Sequence, residues 1–141
     1  MNMRRWLPLV AVCAGTFMLL VDVTIVIVAL PDMAGGLDAS LSELQWVLSL
    51  YALVLAALVL TAGSLADRIG RRAVYLGGLV LFAAASLACG LSANVGVLIA
   101  ARGVQGLAAA AMFATTLALI SSSYAGRDRG IAFGIWAAVN G

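Results

Sequence analysis

The chain reads as an all-α protein, a polytopic bundle of transmembrane helices. Three observations predict this. Of its 141 residues, 65% are hydrophobic and 10% charged, and the mean hydropathy is +1.14, which leaves too little polar surface for a domain solvated by water. The apolar residues fall into runs of about 20, the length that crosses a hydrocarbon core of ~30 Å. All eight basic residues are arginines, and all but Arg102 gather in short segments at the ends of those runs.

The first predicted helix covers residues 7–30. Arg4 and Arg5 precede it as the basic end of a secretory signal would, and Val10-Ala-Val-Cys13 faintly resembles a lipoprotein cleavage box. An h-region is only about 7–15 residues long. This run continues well past Cys13 to Pro31, and Val12 is a poor neighbour for such cleavage, so the segment is read as an uncleaved helix. Pro8 fits its first turn, where the missing N–H has no partner in any case.

Further spans are expected at residues 44–62, 73–91 and 95–120, with a fifth beginning near Gly130 and cut off at Gly141. The connections are short: Pro31 to Asp38, a charged loop around Asp67, Ser92 to Asn94, and Ser121 to Arg129. With no linker or low-complexity tract, residues 1–141 form one partial transmembrane domain.

Arginine placement sets the orientation. Arg4 and Arg5, then Arg68, Arg71 and Arg72, then Arg127 and Arg129 fall on one side, and the opposite loops contain none. The positive-inside rule makes the N-terminus cytoplasmic, with Asp32, Asp38 and Glu43 outside. Trp6, Trp46 and Tyr75 lie near span ends, where amphipathic rings favour the interface, although packing against a neighbouring helix suits Trp46 equally.

Several functions are excluded. A net charge of +2 without a basic stripe argues against nucleic acid. Cys13 and Cys89 sit inside apolar runs, where a thiol acts as a small hydrophobe, and their spacing suggests neither a disulfide framework nor a metal site. The chain has no histidine, and no nucleophile–base pair or phosphate loop appears, so neither an enzyme nor a bound cofactor or metal is expected.

Two ionisable residues remain inside the spans. Asp22 lies about two-thirds of the way along the first helix and Arg102 about a quarter of the way into the fourth. A charge at such depth costs at least ~2.5–3.5 kcal/mol, so each requires a partner or a wet cavity. Counted from the outer ends of the predicted spans, Asp22 is ~12 Å deep and Arg102 ~10 Å, which permits an ion pair or a shared hydrogen-bond network. Gln105, Gly106 and Ala109 follow Arg102 on the same helix face. The glycines and alanines there are expected mainly to allow close packing.

The segment Gly63-Ser-Leu-Ala-Asp67-Arg68-Ile-Gly70-Arg71-Arg72, with Leu76 beyond it, resembles the loop between helices 2 and 3 of the major facilitator superfamily of secondary transporters. Leu98-Ile-Ala-Ala-Arg102-Gly-Val-Gln105-Gly106 looks like that superfamily's helix 4 motif, whose Arg and Gln are implicated in proton transfer. Asp22-Val-Thr24 through Leu30-Pro31 looks like the helix 1 signature of its 14-helix drug:proton antiporters. Ile27 stands where that subgroup usually has Asn. Gln45, Trp46 and Tyr51 also suit the subgroup, less specifically.

The resemblance implies proton-coupled multidrug efflux across the cell's inner membrane, with H+ as coupling ion and a small amphiphilic or cationic substrate. Asp22, Arg102 and Gln105 become the proton-coupling candidates. Gly63, Asp67, Arg68, Gly70, Arg71 and Arg72 become a gating loop that latches against the other half of the transporter. This superfamily is built from two six-helix halves of inverted repeats, so the chain is expected to be an N-terminal fragment whose partner is the missing C-terminal half. By itself it is expected to insert without transporting. The rival expectations are a small self-assembling exporter that uses Asp22, or a non-transporting truncated remnant.

Overall fold

A computed structural model describes residues 3–141. They form five helices: α1 (Met3–Gly36), α2 (Leu41–Ile69), α3 (Arg71–Gly90), α4 (Val95–Ser123) and α5 (Gly126–Asn140). The first four are long and apolar enough to cross a membrane. The chain is therefore an all-α, multi-pass membrane bundle.

Every helix is longer than its apolar run. Hydropathy marks where lipid solvates side chains, whereas the backbone ladder continues into polar residues until a cap or a break stops it. Residues 31–36, expected as loop, extend α1 past Pro31, which costs a single N–H bond at an exposed position. The turn beyond them uses a left-handed Asp38 (φ 48), a conformation that Asp tolerates better than most residues. Helix α2 starts at a capping box: the Ser40 hydroxyl accepts from the Glu43 N–H, and the Glu43 carboxylate accepts from the Ser40 N–H. Asn94 caps α4 through its side-chain oxygen.

The largest correction concerns the charged loop, which is helix on both sides of one residue. Asp67 and Arg68 lie in the last turn of α2, and Arg71 and Arg72 open α3. Gly70 alone makes the break, with φ 106 and ψ 129, a conformation essentially confined to glycine. The loop expected from Ser121 to Arg129 likewise shrinks to Tyr124 and Ala125.

Helix α4 is the centre of the bundle. Half of its apolar stretch is buried inside the protein, 50% against 11% for α2. Its consecutive Ala108, Ala109 and Ala110 are all fully buried; positions one residue apart point ~100° apart round a helix, so neighbours surround it. Small residues let them approach. A Cβ on Gly78 of α3 would lie 3.0 Å from the Ala108 carbonyl oxygen, and one on Gly106 would lie 2.6 Å from the Tyr51 carbonyl oxygen of α2. Without a water-driven hydrophobic effect, such backbone approach is what holds transmembrane helices together.

Helices α2 and α3 flank α4, α1 packs across it, and α5 lies against α1 and α4. One apolar cluster joins Leu9, Val12, Tyr75, Phe82, Met112 and Ile120; a smaller one joins Val26, Val47 and Leu98 toward the other end. Large apolar side chains such as Leu60 (84% exposed) and Val80 (71%) form the outer surface. That surface is suited to lipid or further helices, not water.

Candidate functional site

The arginine-rich ends of α1, α3 and the α4–α5 turn meet at one end of the bundle. Arg5 pairs with Asp128, and Trp6 stacks on Tyr124 with ring centroids 5.2 Å apart. The Tyr124 hydroxyl accepts from the Leu9 N–H at 3.2 Å and donates to the Arg5 carbonyl at 3.0 Å. Those two backbone groups are each other's ordinary i→i−4 partners, so the tyrosine bridges a helical rung beside Pro8. The Tyr75 hydroxyl donates to the Ala11 carbonyl, six residues beyond that of Arg5, and Gly15 leaves room for it. Neither tyrosine contact carries a sequence signal, since each depends on the rotation of α1.

Across the Gly70 break, the Asp67 carboxylate accepts from Arg71 Nε at 3.3 Å and Nη2 at 3.2 Å. This pair is exposed and contributes at most ~1 kcal/mol. Among the described residues Arg68 and Arg72 have no acidic partner within ion-pair distance, and a Cβ on Gly63 would lie a loose 3.9 Å from Ala114 Cβ of α4. The motif thus presents a charged surface that nothing in these helices covers.

Toward the other end of the bundle, all four long helices converge on one polar cluster. Arg102 Nη1 donates to Asp22 Oδ2 at 2.6 Å and to Gln105 Oε1 at 2.8 Å. Gln105 Nε2 donates to Asp22 Oδ1 at 3.0 Å, closing a triangle. Arg102 Nε donates to the Val47 carbonyl of α2 at 3.1 Å, and its guanidinium lies 4.3 Å from the centroid of the Tyr51 ring. From α3, the Cys89 thiol donates to Gln105 Oε1 at 3.3 Å. The Gln105 amide is oriented by this pattern, because the flipped amide would face its NH2 to two donors.

Each placement follows from local periodicity. Arg102 and Gln105 are three residues apart on α4, and Val47 and Tyr51 four apart on α2, so each pair shares a face. The Asp22–Arg102 match in depth holds, though not by the distance expected for Asp22. With α1 running to Gly36, Asp22 is ~21 Å from its helix end, and α1 simply projects beyond the start of α4.

Burial divides the pair. The Arg102 side chain is 1% exposed and that of Asp22 12%. Asp22 borders an open groove of ≈ 710 Å³ between α1 and α3, lined also by Met18, Phe82 and Ser86. The cation is sealed in protein while the acid is reachable. Thr24 and Pro31 stay outside the cluster: both are exposed, and the Thr24 hydroxyl bonds back to the Leu20 carbonyl. Ile27 is also exposed, at 53%. Cys89, expected as a mere hydrophobe, instead joins the polar cluster.

A sequence profile of the Major Facilitator Superfamily matches residues 12–141. The chain belongs to this superfamily. It is 44% identical over 140 residues to the multidrug resistance protein Stp of Mycobacterium tuberculosis (strain CDC 1551 / Oshkosh), covering 99% of this chain and 26% of that protein. It is 42% identical over 132 residues to the methylenomycin A resistance protein of Bacillus subtilis (strain 168), covering 93% and 28%. It is 40% identical over 138 residues to the tetracenomycin C resistance and export protein of Streptomyces glaucescens, covering 98% and 26%. The chain spans about a quarter of the length of these curated relatives.

Proposed function

We propose that this chain forms the N-terminal part of a proton-coupled drug exporter. The exporter exchanges protons from outside for a small amphiphilic or cationic compound, and works in the cell's inner membrane with its N-terminus in the cytoplasm. The observation that carries the reading is the closed Asp22–Arg102–Gln105 cluster. A purely structural contact at this depth is made more cheaply by apolar side chains, since burying two charges costs several kcal/mol each before attraction offsets it.

In this reading Asp22 binds the incoming proton at a carboxylate oxygen and its attraction to Arg102 falls. Loss of the proton on the cytoplasmic side restores the pair, and the two states favour different packings of α1 against α4. Gln105 keeps a hydrogen bond to Asp22 in either state. The uncovered face around Asp67, Arg68, Gly70, Arg71 and Arg72 latches against the missing C-terminal half when the cytoplasmic side closes. The resistance and export proteins it resembles support drugs as the substrate class.

The deciding experiment is efflux of a fluorescent cation from proteoliposomes containing the whole transporter, driven by a proton gradient. Asp22→Asn is expected to lower gradient-driven efflux at least a hundredfold while exchange without a gradient persists. Undiminished driven efflux in that variant would refute the antiport reading.

Orientation has its own check. An impermeant maleimide applied to intact cells is expected to label Asp38→Cys or Asn94→Cys and to spare Arg71→Cys. Labelling only at position 71 reverses the topology. Because Asn94 caps α4, the Asp38 site is the cleaner reporter.

A further inference from the structure

Arg102 has three anchors besides Asp22: the Val47 carbonyl, Gln105 Oε1 and the face of the Tyr51 ring. Two of them come from one face of α2, whereas α1 contributes only the carboxylate. Among the described residues, Asp22 is also the sole acid that pairs with Arg102. A proton on Asp22 therefore removes the one full negative charge facing a sealed guanidinium, which then needs another stabiliser or a route to water. The two oxygen acceptors meet Nε and Nη1 at the edge of the guanidinium plane. The Tyr51 ring lies against its face, with the ring centroid 4.3 Å from the guanidinium carbon.

Tyr51 is suited to that task. It is 6% exposed, so water does not compete for the cation, and desolvated cation–π contacts are the strong ones. Its backbone is pinned as well, because the Tyr51 carbonyl oxygen lies where a side chain on Gly106 would begin. Ring and guanidinium are thus carried by two helices in near backbone contact, while the acid sits on a third.

We propose that Tyr51 is a positioning residue that holds the Arg102 cation in place while Asp22 is protonated, so that the same pair re-forms when the proton leaves. The inference rests on the proton-antiport reading above. The charged and titratable groups facing the site are Asp22 from α1, Tyr51 from α2, Cys89 from α3 and Arg102 from α4; the Tyr51 ring, like the Val47 carbonyl and Gln105 Oε1, holds the cation whether or not Asp22 is charged.

The test compares gradient-driven efflux with gradient-free exchange in proteoliposomes of the whole transporter. Tyr51→Phe, which keeps the ring, should retain the driven-to-exchange ratio within about twofold. Tyr51→Leu, or a pentafluorinated phenylalanine at the same position, should lower it about tenfold, because fluorine empties the π face without removing the ring. A fluorinated ring that performs like phenylalanine overturns the proposal, as does a Tyr51→Phe variant as impaired as Tyr51→Leu. Should Tyr51→Leu fail to fold, the phenylalanine and fluorinated pair decides alone. Asp22→Asn separates the two levels. If it abolishes driven efflux and the ring series is flat, only the role of Tyr51 falls. If it leaves driven efflux intact, the antiport reading falls and takes this inference with it.

Discussion

Arg102→Leu is expected to destabilise the folded bundle by about 3–5 kcal/mol, the range seen when one partner of a buried ion pair is removed. The loss exceeds that of a single salt bridge because this side chain donates to three acceptors: Asp22 Oδ2, Gln105 Oε1 and the Val47 carbonyl. Leucine satisfies none of them, and the stranded carboxylate remains inside the bundle, 12% exposed. Asp22→Asn/Arg102→Leu should be more stable than Arg102→Leu alone, since an amide beside Gln105 carries no uncompensated charge. Denaturant unfolding in detergent micelles measures both. A single variant within ~1 kcal/mol of the parent, or a double variant whose loss equals the sum of the singles, would show that the pair is not the energetic centre of the site.

The arrangement of that centre was only half legible in the sequence. Asp22 and Arg102 stand out because ionisable residues inside apolar runs are expensive, and Gln105 follows from helical periodicity. The anchoring by Val47 has no signal at all, because every residue carries a carbonyl and only the packing selects which one faces the guanidinium. Cys89 was misleading, since a thiol in an apolar run looks the same whether or not an acceptor lies opposite it. Helix order came through because lipid imposes a length on each span. Helix ends did not, because caps such as Ser40–Glu43 and breaks such as Gly70 lie outside the apolar runs. Thr24 and Pro31 illustrate a different gap: resemblance picks them out, yet in this structure they are exposed and touch nothing in the cluster.

Gly106→Ala tests whether the site depends on how closely α2 approaches α4. The new Cβ would lie 2.6 Å from the Tyr51 carbonyl oxygen and 3.1 Å from Val54 Cβ. The first obstacle is backbone, so no side-chain rotation relieves it and α2 must move outward. Overpacking of this kind costs about 1–3 kcal/mol. Moving α2 also withdraws the Val47 carbonyl and the Tyr51 ring from Arg102, so gradient-driven efflux should fall together with stability. Gly77 provides the contrast. It lies inside α3 with nothing within 4 Å of where a Cβ would sit, and alanine there should be neutral or stabilise by roughly 0.5–1 kcal/mol through helix propensity. Opposite signs at these two glycines, read from the same unfolding experiment, are the result expected if close α2–α4 contact shapes the site. A Gly106→Ala variant as stable and active as Gly77→Ala would mean that the helices have slack to give, and that close α2–α4 contact does not shape the site.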